Sequence, residues 1–458
     1  MHNDKCLKHR HYYNINGGIA MAELKTGYQG KTVYGNTFTV LEFLGGGGQG
    51  NVYKVQCGGR EMALKWYHKA TIDKMKDPDE FYENLMANIK KGAPTSAFLW
   101  PEELTEKCDG SFGYIMGLRP SNYEELTRFL IWDAKKRRMK ASFASITARC
   151  NAAINIIEGF RALHNDGYSY QDLNNGNFFI NPNSGEVLIC DNDNVSERGV
   201  NFGIAGKQRY MAPEVVLGGA PDKRSDRFSL AVILFRMLFV EHPLEGKYST
   251  PPCMTPELEK KFYGSDPVFV LDPEDDRNAA NNQLNTNTLR FWKIYPEYIR
   301  ELFIKSFGKE SVKPPYDRVI ERTWLDAFVR MRSEVVACPH CGKETFISEG
   351  YTVSCMYCGG PLTCRGGIKF KRFEVPAFGG VKLYDGQVRE TEGDFHEIVA
   401  EIVRNKKDPS KLALRNLTKN SWNVKLPDNT VRTVEPDGVM PLIKDFVVNI
   451  GSSEGTVY

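Results

Sequence analysis

The sequence predicts an α+β chain in two unequal lobes, a small β-rich one and a larger helical one, with a four-cysteine element and a small all-β domain behind them. Three observations predict this. Residues 33–66 alternate in polarity as strands do, on both sides of a glycine run. From 122 to about 332 helical spacing dominates, broken by one strand-like stretch at 178–190. Five of the 11 cysteines then crowd between 338 and 364, and short alternating runs with turns follow to the end.

In chain order, residues 1–30 read as a polar extension in which either Met1 or Met21 is a possible start. "TVYGNTFTVLEFL" and "NVYKVQCGGREMALKWY" flank "GGGG" as a strand–loop–strand unit. "PDEFYENLMANIKKG" (78–92) has helical spacing, Pro first and Gly last. The basic stretch "DAKKRRMK" (133–140) sits in helical context and reads as a solvated face or a docking patch for an acidic partner. "FSLAVILFRMLFV" (228–240) is a buried helix, too short to span a bilayer. Residues 247–288 look like a long polar insertion. The expected domains are 31–335 (lobes about 31–117 and 118–335), 336–366 and 380–458. Net charge is +3, which does not by itself imply nucleic acid. The N-terminus has no signal-peptide core, and six cysteines are scattered over the first 253 residues. Both point to a soluble, cytoplasmic protein with reduced thiols.

Four short patterns carry phosphate chemistry. Gly45, Gly47, Gly50 and Val52 form G-x-G-x-x-G-x-V, which lets backbone amides approach triphosphate oxygens. Lys65 follows on a strand, where an ammonium holds the α- and β-phosphates. It needs a carboxylate from the next helix, Glu83 by preference or Glu80, which lies one turn away on the same helix. In "YQDLNNGN" Asp172 would accept the substrate hydroxyl proton, and Asn177 would bind metal. In "CDND" Asp191 ends an apolar strand, placed to hold Mg²⁺ between β- and γ-phosphates, with Asp193 a possible substitute ligand.

Together with "GKQRYMAPE" (206–214), these motifs resemble the eukaryotic-type protein kinases over about residues 35–330. The resemblance implies a bilobal kinase fold, ATP with Mg²⁺ or Mn²⁺, and transfer to Ser/Thr hydroxyls of protein substrates. It makes Glu214 a structural ion-pair residue, whose arginine the sequence does not identify. It makes Asp226 a brace for the catalytic-loop backbone. It places Met116 at the back of an adenine pocket, with Gly117 and Leu118 as hinge.

The departures are as informative. The His-Arg-Asp of the family is Tyr170-Gln171-Asp172. Without that arginine a phosphorylated activation loop has no receptor. The segment between Asp191 and Ala212 offers only Ser196 and Tyr210 as hydroxyls, so activation by loop phosphorylation is not expected. The lysine two residues after the catalytic aspartate is Asn174. Lys207 stands where the family has a threonine facing that lysine, so the charge has either moved to Lys207 or been lost, with Lys207 then a solvent-facing loop residue. Asp-Phe-Gly is Asp191-Asn192-Asp193, which should restrict the flip of that segment. The opposing reading is a nucleotide-binding pseudokinase that acts as a scaffold.

Cys338-x2-Cys341 and Cys355-x2-Cys358, each pair followed by glycine, suit a structural Zn²⁺ ribbon, with His340 outside the ligand set. A zinc-ribbon nucleic-acid adaptor is the third reading, but no aromatic-and-basic cluster supports it. The tail has a small β-sandwich pattern and looks faintly like the forkhead-associated phosphopeptide binders. Kinase, ribbon and β tail in this order are similar to bacterial kinases of tellurite-resistance-type stress clusters. That similarity implies a von Willebrand-type partner and a metal-dependent phosphatase.

Overall fold

A computed structural model describes residues 24–197, 206–348, 352–364, 366–389 and 393–458. The first lobe is an antiparallel sheet of β1 (Gln29–Lys31), β2 (Thr37–Gly46), β3 (Gly50–Cys57), β4 (Arg60–Tyr67), β5 (Pro101–Leu104) and β6 (Gly113–Met116), in the order β1-β2-β3-β4-β6-β5. Strand alternation sorts its side chains. Leu64 and Trp66 join Phe38, Tyr53 and Val55 in one core layer, whereas Ala63 and Tyr67 join Phe81, Leu85 and Tyr114 in another. Lys65 therefore shares the face of Ala63 and Tyr67, against which helix α1 (Pro78–Lys91) packs. Asp77 caps α1 by accepting from the amides of Asp79 and Glu80, and Gly92 ends it at φ +86°.

The larger lobe is built on α2 (Ile146–Asn165), α3 (Lys223–Phe239), α4 (Glu297–Phe307) and α5 (Glu321–Ser333). α3 is buried nearly all round, and Asp222 and Ser225 form a capping box at its start. Residues 247–288 are not a solvated insertion. Phe262, Tyr263, Phe269 and Val270 enter the core. Asn278 satisfies the backbone there, donating to Leu244 O (2.9 Å) and Val268 O (2.7 Å). The basic stretch is not helical either. Trp132–Asp133 pairs with Arg138–Met139 as a hairpin, because Asp133 Oδ1 accepts from the amides of Lys135 and Lys136 and Arg137 adopts φ 51°. No helix among the described residues is long and apolar enough to cross a membrane.

Beyond α5 come two hairpins, Val335–Ala337 with Glu344–Phe346 and Thr352–Ser354 with Pro361–Thr363. Glu344 of the first hairpin accepts from the amide (3.0 Å) and hydroxyl (2.8 Å) of Thr147, docking it at the N-terminus of α2. Two further sheets follow. One has six strands and the other four, and Ile368, Leu383, Ile402, Leu414, Trp422 and Val448 share the core between them. The all-β domain starts earlier than 380, since Gly367–Phe370 pairs with the final strand Ser453–Val457. Val336, Cys338 and Ile347 join the same core, so the cysteine hairpins and the sheets behind them share packing. The expected extension 1–30 lies outside the described residues up to position 23; Gln29–Lys31 already belongs to the first sheet.

Candidate active site

The glycine turn lies above Lys65 by register. Gly45 pairs with Val52, Val52 with Lys65, and Lys65 with Tyr114, across four strands. Gly50 is required by packing: a Cβ there would lie 2.3 Å from Trp66 O. A Cβ on Gly45 or Gly47 would meet nothing within 4 Å, so the exposed side of the turn is open to a ligand. His68 holds the turn from below. Its Nε2 lies 3.1 Å from Gly47 O and its amide donates to Gln49 O at 2.9 Å. Met116 ends β6, buried opposite Ala63, and half-buried Leu118 follows it.

Lys65 Nζ donates to Asp193 Oδ2 (2.7 Å), Gln49 Oε1 (3.1 Å) and Asp191 Oδ1 (3.3 Å). Burial opposes its charge, but Asp191 and Asp193 outweigh that and raise its pKa above the ordinary lysine range. Glu83 is not its partner. Phe81, Leu85 and Asn88 form the inward face of α1, at helical spacing, while Glu80 and Glu83 are exposed.

The loop 170–177 is fixed from behind. Asp226 accepts from the amides of Tyr170 (2.6 Å) and Gln171 (3.0 Å), and His164 Nε2 lies 3.1 Å from the same carboxylate. Gln171 does not reproduce a phosphate receptor; its Nε2 donates to the buried hydroxyl of Ser196 at 2.6 Å. Tyr210 is buried too, with its hydroxyl on Asn175 Oδ1 (2.7 Å) and in contact with the Arg236 guanidinium.

Asp172 lies beside Asn174, whose Nδ2 donates to its carboxylate at 3.1 Å. Asn174 Oδ1 in turn accepts from Lys207 Nζ at 2.7 Å. The amide therefore links the carboxylate to the ammonium. Burial and the Asp191 charge push Asp172 up to about 6, against the opposing pull of Asn174 and Lys207. Asn177 Nδ2 donates to Asp172 O at 2.9 Å, which ties it to the same loop. Asp191 sits at φ 52°, and its side chain is 43% exposed. Its oxygens and the amide of Asn177 are hard donors of the kind Mg²⁺ takes. Asn192 replaces the apolar anchor by donating to Leu99 O (2.8 Å) and Ile189 O (3.0 Å).

Two contacts were not visible in the sequence motifs. Arg318 forms a two-point pair with Glu214, both bonds 2.7 Å, and is the arginine the sequence left unidentified. Glu321 joins the brace of the catalytic loop through His164 Nδ1 (2.8 Å) and Arg227 (2.7 Å).

The four cysteine sulfurs lie within 4.8 Å of one another. The Cys338–Cys358 and Cys341–Cys355 separations are 3.8 Å, the edge of a tetrahedron with metal–sulfur bonds of about 2.3 Å. The two knuckles repeat one backbone pattern: Gly342 N donates to Cys338 O and Gly359 N to Cys355 O, both glycines at positive φ (+73° and +71°). The donor set and geometry fit Zn²⁺. His340 points away, its Nε2 3.1 Å from Pro361 O.

The protein kinase domain family matches residues 38–262. Among curated relatives, the chain is 23% identical to the serine/threonine-protein kinase mos of Patiria pectinifera, over 46% of this chain and 59% of that protein. It is 30% identical to the ovarian-specific serine/threonine-protein kinase Lok of Drosophila melanogaster (28% and 31%) and 28% identical to the serine/threonine-protein kinase YPK3 of Saccharomyces cerevisiae (29% and 27%). The chain spans between about a quarter and three-fifths of these three relatives. With the lobes and motifs above, these matches support a protein kinase domain over residues 38–262.

Proposed function

We propose that this protein kinase domain is catalytically active and transfers the γ-phosphoryl group of ATP to Ser/Thr hydroxyls of protein substrates. One observation carries the reading: Lys207 reaches Asp172 through Asn174, so a positive charge stands beside the base although the usual lysine is absent. Asp172 would accept the hydroxyl proton. Lys65 and the glycine turn would hold the phosphates, and Asn177 and Asp191 would hold Mg²⁺ or Mn²⁺, which neutralises charge between the phosphates when bound. Met116 and Leu118 would line the adenine side. We assign Lys207 the transition-state charge that Asn174 cannot supply.

Loop phosphorylation has no part in this reading. Gln171 is engaged with Ser196, both loop hydroxyls are buried, and residues 198–205 contain no Ser, Thr or Tyr. Zn²⁺ would sit in the four-cysteine site as a structural ion with no open position. The β domain would act as an interaction module. By the family similarity, its setting would be bacterial stress signalling in the cytoplasm, with a von Willebrand-type protein and a metal-dependent phosphatase as partners.

The test is incorporation from [γ-³²P]ATP with Mg²⁺ or Mn²⁺, beside Asp172→Ala. Label that requires Asp172 supports the proposal. Nucleotide binding without Asp172-dependent label overturns it and leaves a scaffold that binds ATP.

A further inference from the structure

We propose that Asp193 is the positioning residue for Lys65, in place of a glutamate on α1, so that the metal-binding loop itself sets the phosphate-holding lysine. The inference rests on the kinase reading above and deepens it.

Three observations carry it. Asp193 is fully buried, and its Oδ2 accepts both Lys65 Nζ (2.7 Å) and the Tyr67 hydroxyl (2.6 Å). Burial holds the Tyr67 phenol protonated, so it donates. Lys65 and Tyr67 lie two apart on β4 and thus on one face, so a single carboxylate clamps the strand at both.

The second observation is the position of the loop. Asn192 is anchored to the backbone of Leu99 and Ile189, which fixes the turn that carries Asp193. Third, α1 offers Lys65 no carboxylate. Its glutamates face solvent, and it binds the loop through amides instead: Asn84 and Asn88 both donate to Val195 O, at 3.0 and 2.8 Å. The helix follows the loop. Where a helix supplies the acid, rotating that helix breaks the lysine pair. Here both carboxylates on Lys65 come from residues 191 and 193 of one short turn. Lys65 and Tyr67 share Asp193 Oδ2, and its Oδ1 is buried without a hydrogen-bond partner.

The experiment compares Asp193→Asn with the double variant Glu80→Gln/Glu83→Gln in the full chain. MgATP affinity is read by calorimetry, and kcat and KM for ATP by phosphotransfer. Asp193→Asn leaves Lys65 with Asp191 as its only carboxylate beside the neutral Gln49, and MgATP should bind about tenfold or more weakly, with KM rising accordingly. The helix double variant should stay within about twofold of wild type, as surface changes do. An unaltered MgATP affinity in Asp193→Asn overturns the proposal, as does an equal loss in the helix variant. Should Asp193→Asn fail to fold, Tyr67→Phe carries the test: it keeps the ring and removes one donor, with an expected loss of about threefold, and full affinity there overturns the idea. Calorimetry separates this proposal from the kinase reading. If wild type transfers no phosphate yet Asp193→Asn binds MgATP more weakly, the positioning role stands and the kinase reading falls.

Discussion

Lys207→Met removes the only cation that reaches Asp172 through Asn174 among the described residues. The two hydrogen bonds, 2.7 and 3.1 Å, run in series across one amide group. With the amide between them they keep the ammonium within about 8 Å of the carboxylate, where opposite charges attract by about 2 kcal/mol or more at an effective dielectric of about 20. Lys207 is exposed, and solvent screening reduces the usable part to ~1–2 kcal/mol. If that interaction acts on the transferring phosphoryl group, kcat falls about 5- to 30-fold. KM for ATP should change little, because Lys65 and the glycine turn are untouched. The assay is steady-state phosphotransfer with labelled ATP. A double variant, Asn174→Lys/Lys207→Met, adds discrimination: it returns the charge to the position the family uses and should recover much of the lost kcat. An unchanged kcat in Lys207→Met, or a loss confined to KM, refutes the relocation of charge.

Other outcomes follow from the same geometry. Arg318 is 2% exposed and pairs with Glu214 at two points, so Arg318→Ala strands a partly buried carboxylate and should cost about 3 kcal/mol or more of stability, read as a lower unfolding midpoint. His164 is predicted to make stability pH-dependent. Burial works against its imidazolium, but hydrogen bonds to Asp226 and Glu321 prevail and raise its pKa to about 8. A raised folded-state pKa gives stability that is complete below the unfolded value of about 6.5 and lost as pH rises through 8, here ~2 kcal/mol at most. Thermal melts at pH 6 and pH 9 should show this fall in wild type and not in His164→Gln. For the ribbon, elemental analysis should find about one zinc per chain. Cys355→Ser should lose it and lower the melting temperature of the C-terminal part, and a metal-free wild type would refute the assignment.

The legible part of the site was the part carried by local order. Glycine turn, lysine, Asp-x4-Asn and a strand-ending aspartate follow one another at spacings that a strand–loop–strand chain imposes, so Gly45, Lys65, Asp172, Asn177 and Asp191 could be singled out without coordinates. The cysteine pairs were legible for the same reason, since each knuckle closes within five residues. What escaped were relations across the chain. Arg318 lies 104 residues from Glu214, and no local pattern marks it. Glu80 and Glu83 matched the helical spacing, but spacing alone does not say which stripe meets the sheet. Phe81 and Leu85, the larger apolar groups, took the inward face and turned the acids out. The basic stretch 133–140 was read as helix by context, whereas Asp133 bonds its own following amides and starts a turn.

In each altered motif a polar residue stands in place of the family's and makes a contact of its own. Asn192 anchors its turn by hydrogen bonds where the family uses apolar packing. Gln171 ties the catalytic loop to Ser196 where an arginine would await a phosphate. Asn174 hands a charge from Lys207 to Asp172. Random loss of function would leave such polar groups buried without partners, each costing about 1–3 kcal/mol. Here Gln171 and Asn174 find partners within 3.1 Å, and Asn192 does so through its Nδ2 while its Oδ1 stays buried without a hydrogen bond. Such contacts hold Lys65, Asp172 and Asp191 in place relative to each other. On the reading proposed above, the substitutions would also remove the parts by which a phosphorylated loop or a rotating helix switches such a site. Control of such a kinase would then have to act from outside the cleft, through access of the substrate or through the cysteine hairpins and β domain that pack behind the larger lobe.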